Sequence, residues 1–239
     1  EYAEVQTLGK LSSVDNMNDI HVEAVLNMKH VDVPVVKKVK FKVVIDCVNS
    51  VGGIILPLLL KKLGAEVVQI HCTPNGIFPH NPEPLPQHLK DISEAVVQHK
   101  ADVGFVVDPD VDGLVIVNVD GSMFGEEYTL VAVADYILSQ QKGNAVSNLS
   151  STRALADVTA RYGGSYTASA VGEVNVVQEM KKVSAVIGGE GNGGVIYPEL
   201  HYGRDALVGI ALFLTYLAKT NRKCSELRKT YPDYFNSKN

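Results

Sequence analysis

The chain predicts an α/β fold built as two similar α/β/α sandwich domains with mostly parallel sheets. Three observations predict it. Short β-type apolar runs alternate with helical patterns along almost the whole sequence, the signature of strands joined by crossover helices. Glycine closes a helical stretch directly before the next strand, as Gly64 does between residues 54–63 and 65–70. The same alternation then starts afresh at Ala145, after the breaker Lys142-Gly143-Asn144. The expected organisation is an N-terminal helix and lead-in over residues 1–40, one α/β domain over 41–142 and a second over 143–239.

The elements follow in order. Residues 14–29 read as a helix with Ile20, Val22, Val25, Leu26 and Met28 mostly on one side, capped by Asp15 or Asn16. Residues 37–42 are a basic lead-in to the strand 43–48, whose unbroken apolar character suits burial on both faces. Gly52-Gly53 and the helix 54–63 come next, then the strand 65–70, completing a βαβ unit. The glycine pair could admit a phosphate near a helix start, but it lacks a dinucleotide fingerprint, and close strand–helix packing is the simpler reading. Residues 72–86 are rich in Pro, Asn and Gly and must be irregular; their length implies a structured loop. A helix over 87–99 leads to the strands 103–107 and 114–117, a turn at 118–122 and a helix over 126–141. The second half reads as a strand from 145, helix 153–162, strand 165–168, helix 173–182, strand 184–187, a glycine loop 188–194, strand 195–197, an apolar helix 206–218 and a short helix 224–229. No residue-level repeat relates the halves.

The 239 residues are 46% hydrophobic and 21% charged with a net charge of −5, ordinary globular composition without the basic stripe that nucleic-acid binding needs. Cys47, Cys72 and Cys224 have no metal spacing and an odd count, which suits a reducing cytoplasm. There is no signal peptide and no apolar run long enough for a membrane span, so neither membrane nor nucleic acid is an expected partner.

The chemistry concentrates at Asp108-Pro109-Asp110-Val111-Asp112, set between two apolar runs. Three carboxylates at alternate positions of one turn repel each other, and a hard cation such as Mg²⁺ or Ca²⁺ removes that repulsion. Pro109 stiffens the turn and holds Asp108 extended. The same residues also read as a solvated acidic turn, since Asp and Pro are common turn formers. Two observations speak against an EF-hand: its twelfth position needs a bidentate Glu and here holds Val119, and β-type runs flank the loop. The pair Asp108 and Asp110 also resembles the strand-end motif of haloacid-dehalogenase-type phosphatases, with a nucleophilic first Asp and a general-acid second. That motif usually lies early in its domain, whereas this one follows a complete βαβα unit.

Six ordered segments resemble the α-D-phosphohexomutase superfamily of phosphoglucomutases, phosphomannomutases and phosphoglucosamine mutases. Phe41 to Gly53 (FKVVIDCVNSVGG) resembles the opening of its second domain, and Asn81-Pro82-Glu83-Pro84 its Asn-Pro-Glu-Pro loop. Asp108-Pro109-Asp110-Val111-Asp112-Gly113 resembles its metal loop, Asp-Pro-Asp-Gly-Asp-Arg. VGEVNV from Val171 resembles a segment of its third domain, and Gly189 to Gly194 (GEGNGG) stands at its sugar loop, followed by YGRDA from Tyr202. The resemblance implies reversible phosphoryl transfer between C6 and C1 of a hexose or hexosamine phosphate through a phosphoserine and a bisphosphate. It implies Asp108, Asp110 and Asp112 as Mg²⁺ ligands, and Glu190 and Asn192 as sugar-hydroxyl contacts, Asn replacing the usual Ser.

Departures accompany it. Val111 stands at the family's Gly and Gly113 at its Arg, which loses a bidentate donor for phosphate. The basic residue after the Val-Gly of domain three is missing. No Ser-His-Asn-Pro appears, nor the Arg-x-Ser-Gly-Thr of the C-terminal phosphate-binding domain, and residue 1 is Glu. The expectation is a fragment holding the two middle domains of a four-domain enzyme, with no catalytic residue of its own, completed by the missing first and fourth domains and without turnover alone. The segment VGEVNV leans toward phosphoglucosamine mutase. The alternatives are a non-catalytic module that binds sugar phosphate or metal, and a phosphatase using Asp108 and Asp110.

Overall fold

A computed structural model describes residues 4–234 of the chain. Its elements, in order, are α1 (Met17–Leu26), α2 (Val33–Val39), β1 (Lys42–Asp46), α3 (Gly52–Lys62), β2 (Glu66–Ile70), α4 (Lys90–His99), β3 (Val103–Val107), β4 (Leu114–Val117) and α5 (Glu126–Gln140). They continue with β5 (Asn144–Asn148), α6 (Ala154–Arg161), β6 (Tyr166–Ser169), α7 (Glu173–Lys182), β7 (Ala185–Gly189), β8 (Val195–Ile196), α8 (Ala206–Thr220) and α9 (Cys224–Arg228).

Among the described residues, eight strands form two sheets of four, ordered β2-β1-β3-β4 and β6-β5-β7-β8. In each, the first three strands run parallel and the fourth returns antiparallel as a hairpin partner of the third. The fold is therefore α/β with mostly parallel sheets, as the alternation predicts. Both sheets are covered on two faces, and strand periodicity shows how. Val43 and Ile45 of β1 enter the large central core, while Val44 between them enters a smaller core beneath α4 with Leu89, Ile92 and Val96. Beneath α7, Val146 of β5 packs with Val176 and Met180.

The central core is shared by the two halves. Phe213 of α8 lies edge-on to Phe105 of β3, with centroids 6.3 Å apart, and to Phe124 at 5.4 Å. Residues 206–217 of α8 are buried without interruption, which explains why that helix is apolar all round. Each such buried Phe or Leu contributes on the order of 2 kcal/mol. This shared core holds the carboxyl ends of both sheets in one orientation, and the site depends on that.

Some boundaries differ from the sequence reading, each for a local reason. The helix expected over 14–29 spans Met17–Leu26; Asn16 occupies its cap position but makes no side-chain cap bond. Residues 37–39 of the stretch taken as a basic lead-in belong to α2, which Asp32 starts by accepting from the Val35 N–H at 3.2 Å, with Pro34 in the first turn. The strand expected over 43–48 stops at Asp46, because Val48 and Asn49 take positive φ values of 47° and 54°. The helix expected from residue 87 starts at Lys90 after a 3₁₀ turn. Gly64 ends α3 with φ 76° as expected, its N–H and that of Ala65 returning to the carbonyls of Lys61 and Leu60. At Gly53 a β-carbon would lie 2.1 Å from the Cys72 carbonyl oxygen, so the glycine pair serves close packing.

Candidate active site at two facing hairpin turns

The carboxylates of Asp108, Asp110 and Asp112 converge, each offering an oxygen within 4.8 Å of the others. The chain achieves this with a bend closed by its own first residue. Asp108 Oδ1 accepts the N–H groups of Asp112 at 3.1 Å and Gly113 at 2.9 Å. Val111 adopts φ 65°, a left-handed conformation that costs a β-branched residue on the order of 1–2 kcal/mol. Its side chain is buried in the central core, which offsets that strain. A β-carbon at Gly113 would stand 2.8 Å from Asp108 Oδ2, so a larger residue there requires the Asp108 carboxylate to shift.

The sugar-loop glycines meet this turn. Gly193, at φ 87°, approaches so closely that a β-carbon would lie 2.1 Å from the Leu114 carbonyl oxygen. The Ala206 N–H donates to the Val111 carbonyl at 3.1 Å. Arg204 joins the turns: Nη2 pairs with Asp112 Oδ2, Nη1 lies 3.2 Å from Glu190 Oε2, and Nε donates to Glu173 Oε2 at 3.3 Å. Burial opposes the Arg204 charge, and the three carboxylates more than offset it, Asp112 foremost.

The two expected sugar contacts sit differently. Asn192 is exposed and, with Asp108 and the Pro82-Glu83-Pro84 stretch, lines a cleft of about 240 Å³. Glu190 is 7% exposed and already engaged; Oε1 accepts from Asn148 Nδ2 at 2.9 Å and the Gly172 N–H at 3.3 Å, while Oε2 faces Arg204. The sequence reading missed Arg204 as a site residue; its one signal was its position just before Asp205, which caps α8 through the N–H groups of Leu207 and Val208.

The aspartate turn suits a hard cation. Asp112 Oδ1 is buried and has no hydrogen-bond partner. Burial first, then the hydrogen bond and charge of Asp108, push Asp112 up to about 7, with Arg204 pulling the other way. An all-oxygen donor set with an orphaned buried oxygen fits Mg²⁺ or Ca²⁺.

The chain matches "Phosphoglucomutase/phosphomannomutase, alpha/beta/alpha domain II" over residues 19–121 and the corresponding domain III over residues 125–234. It belongs to that family. A phosphoglucomutase/phosphomannomutase of Thermococcus kodakarensis is 35% identical over 233 residues, covering 97% of this chain and 50% of that protein. A phosphoglucosamine/phosphogalactosamine mutase of Sulfurisphaera tokodaii is 30% identical over 228 residues, covering 92% of this chain and 49% of its own length. Among solved structures, a phosphoglucomutase/phosphomannomutase family protein from Burkholderia thailandensis superposes with a TM-score of 0.79 at 28% identity, over 91% of this chain and 47% of that one. This phosphohexomutase-family chain thus spans about half the length of the curated relatives it matches. Among the described residues, no helix is long and apolar enough to cross a membrane.

Proposed function

We propose that this chain is the two-domain middle part of a cytoplasmic phosphohexomutase, which moves a phosphoryl group between C6 and C1 of a hexose or hexosamine phosphate. The phosphoserine and the remaining phosphate grip would come from the first and fourth domains of the same enzyme. One observation carries the reading: the triple-aspartate turn and the glycine turn of the other half face each other, clamped by Arg204, beside a cleft that the Asn-Pro-Glu-Pro loop also walls. Asp108, Asp110 and Asp112 would hold Mg²⁺, which when bound offsets the charge of the phosphoryl group. Asn192 lines the cleft; its Oδ1 accepts the Gly194 N–H at 3.2 Å and its Nδ2 is able to donate to a sugar hydroxyl. Glu190 accepts from a hydroxyl on exchanging its Arg204 contact, while Arg204 keeps its pairing with Asp112.

Calorimetry of the chain with Mg²⁺ tests the metal assignment: heats should appear and fall for Asp110→Ala, and equal heats in both proteins would refute it. For the complete gene product, glucose, mannose and glucosamine 6-phosphates should be converted to the 1-phosphates. Release of inorganic phosphate instead, lost in Asp108→Asn, would favour the phosphatase; binding without conversion would favour the non-catalytic module.

A further inference from the structure

We propose that Asp46, His71 and His80 form a second metal site, separate from the aspartate turn and suited to an imidazole-preferring divalent ion of the zinc class. The inference is independent of the mutase reading. Asp46 ends β1, His71 directly follows β2 with φ 49°, and His80 comes from the long loop over residues 72–86. Their ligand atoms lie within 4.8 Å of one another. The Asp46 side chain is 1% exposed, against 22% for His71 and 12% for His80. Asp46 Oδ1 accepts the Val48 N–H at 3.0 Å, which orients the carboxylate. Its Oδ2 is met by His71 Nδ1 at 3.0 Å and by His80 Nε2 at 3.1 Å.

The hydrogen bonds around the trio decide which ring nitrogens face inward. The Nδ1–H of His80 donates to the Asn81 carbonyl at 2.8 Å. A neutral imidazole carries one N–H, so Nε2 then aims a lone pair at a carboxylate oxygen. His71 is in the same position, with Nδ1 on Asp46 and Nε2 3.5 Å from Asp91 Oδ2. Both rings are therefore held between two acceptors. A cation among the three inner atoms takes up all three lone pairs. The outer N–H of His80 then rests on the Asn81 carbonyl, the arrangement that orients metal-bound histidines, and that of His71 faces Asp91. Adjacent ligands on a tetrahedral zinc stand about 3.3 Å apart, and the two contacts to Asp46 are close to that.

A second trio of the same composition shows the contrast. In His21, His201 and Asp205, the Gly203 N–H donates to His201 Nδ1 at 2.9 Å. The Nε2 of His201 therefore carries the proton and donates to Asp205 Oδ2 at 3.0 Å. His201 thus turns a donor toward its aspartate, whereas His80 has placed its Nδ1–H on the Asn81 carbonyl and turns Nε2 inward. The ion at Asp46 would pin the loop whose Pro82, Glu83 and Pro84 wall the substrate cleft.

The test is Zn²⁺ titration of the chain by calorimetry, with Co²⁺ absorption in the visible as a second readout. With Mg²⁺ saturating the aspartate turn, one equivalent should bind, with affinity falling at least ~10-fold in His80→Ala, His80→Asn and His71→Ala while circular dichroism stays native. Asp110→Ala and His201→Ala should bind like the parent. Undiminished binding in the His80 and His71 variants, no binding in the parent, or a loss confined to Asp110→Ala or His201→Ala would each overturn the proposal. His80→Asn keeps a donor at the Nδ1 position for the Asn81 carbonyl while removing Nε2, and separates a lost ligand from a disturbed loop.

Discussion

The two halves share one strand order and one antiparallel return, yet their equivalent hairpin turns are opposites. The β3–β4 turn carries three carboxylates and is braced by four ladder pairs; the β7–β8 turn carries mostly glycine and has two. The first needs side chains and bends its backbone to converge them, with Val111 held at a positive φ. The second gives up side chains so that its backbone can touch its counterpart at Leu114. A repeated scaffold thus becomes a two-part site when one turn supplies charge and the other supplies close approach. Arg204, from the glycine half, joins them.

The strongest way to break this complementarity is Gly193→Ala. The new methyl meets the Leu114 carbonyl at a positive φ, and the expected loss is about 4 kcal/mol by urea denaturation. Gly76→Ala is the control. It also has positive φ but nothing within 4 Å, and should lose only about 1 kcal/mol. Equal losses would mean that the two turns are apart in solution. Next comes Arg204→Met, which strands the carboxylates of Asp112, Glu190 and Glu173 and should cost about 3 kcal/mol. Adding Glu190→Gln should recover part of it, and a cost below about 0.5 kcal/mol would remove Arg204 as the clamp.

The smallest expected effect sharpens the same join by pH. Burial opposes ionisation of Asp205, but hydrogen bonds from His201 and His21 outweigh it and hold the carboxyl down at about 2 instead of 3.8. Its contribution is present above 3.8 and is lost as pH falls toward 2. The hydrogen bond to Asp205 raises His21 above 6.5, so its contribution is full below 6.5 and is lost as pH rises through the raised value. His21→Ala should therefore cost about 1 kcal/mol between pH 3.8 and 6.5, with the difference from the parent shrinking at higher pH. A pH-independent difference would assign His21 a packing role alone.

How much was legible follows the range of each interaction. β3, β4 and the Gly64 cap could be read because apolar runs and a glycine stop act over a few residues. α2 was missed because Val-rich VPVVKKV looks extended until Asp32 and Pro34 are recognised as a helix start. The spacing of Asp108, Asp110 and Asp112 announced a turn that gathers oxygens, since alternate residues of one bend lie close whatever surrounds them. Nothing local announced that Glu190 is engaged with Asn148, or that Asp46 meets histidines 25 and 34 residues away.

The sequence by itself determined the alternation of strands and helices, the glycine stops and the acidic turn, because these are set by side-chain periodicity and backbone freedom over a few residues. The tertiary structure alone decided which turn faces which, that Arg204 closes on an aspartate 92 residues away, and which buried oxygen is left without a partner. Those outcomes follow from packing both sheets around one core, where small shifts in helix and strand placement decide whether two distant groups meet.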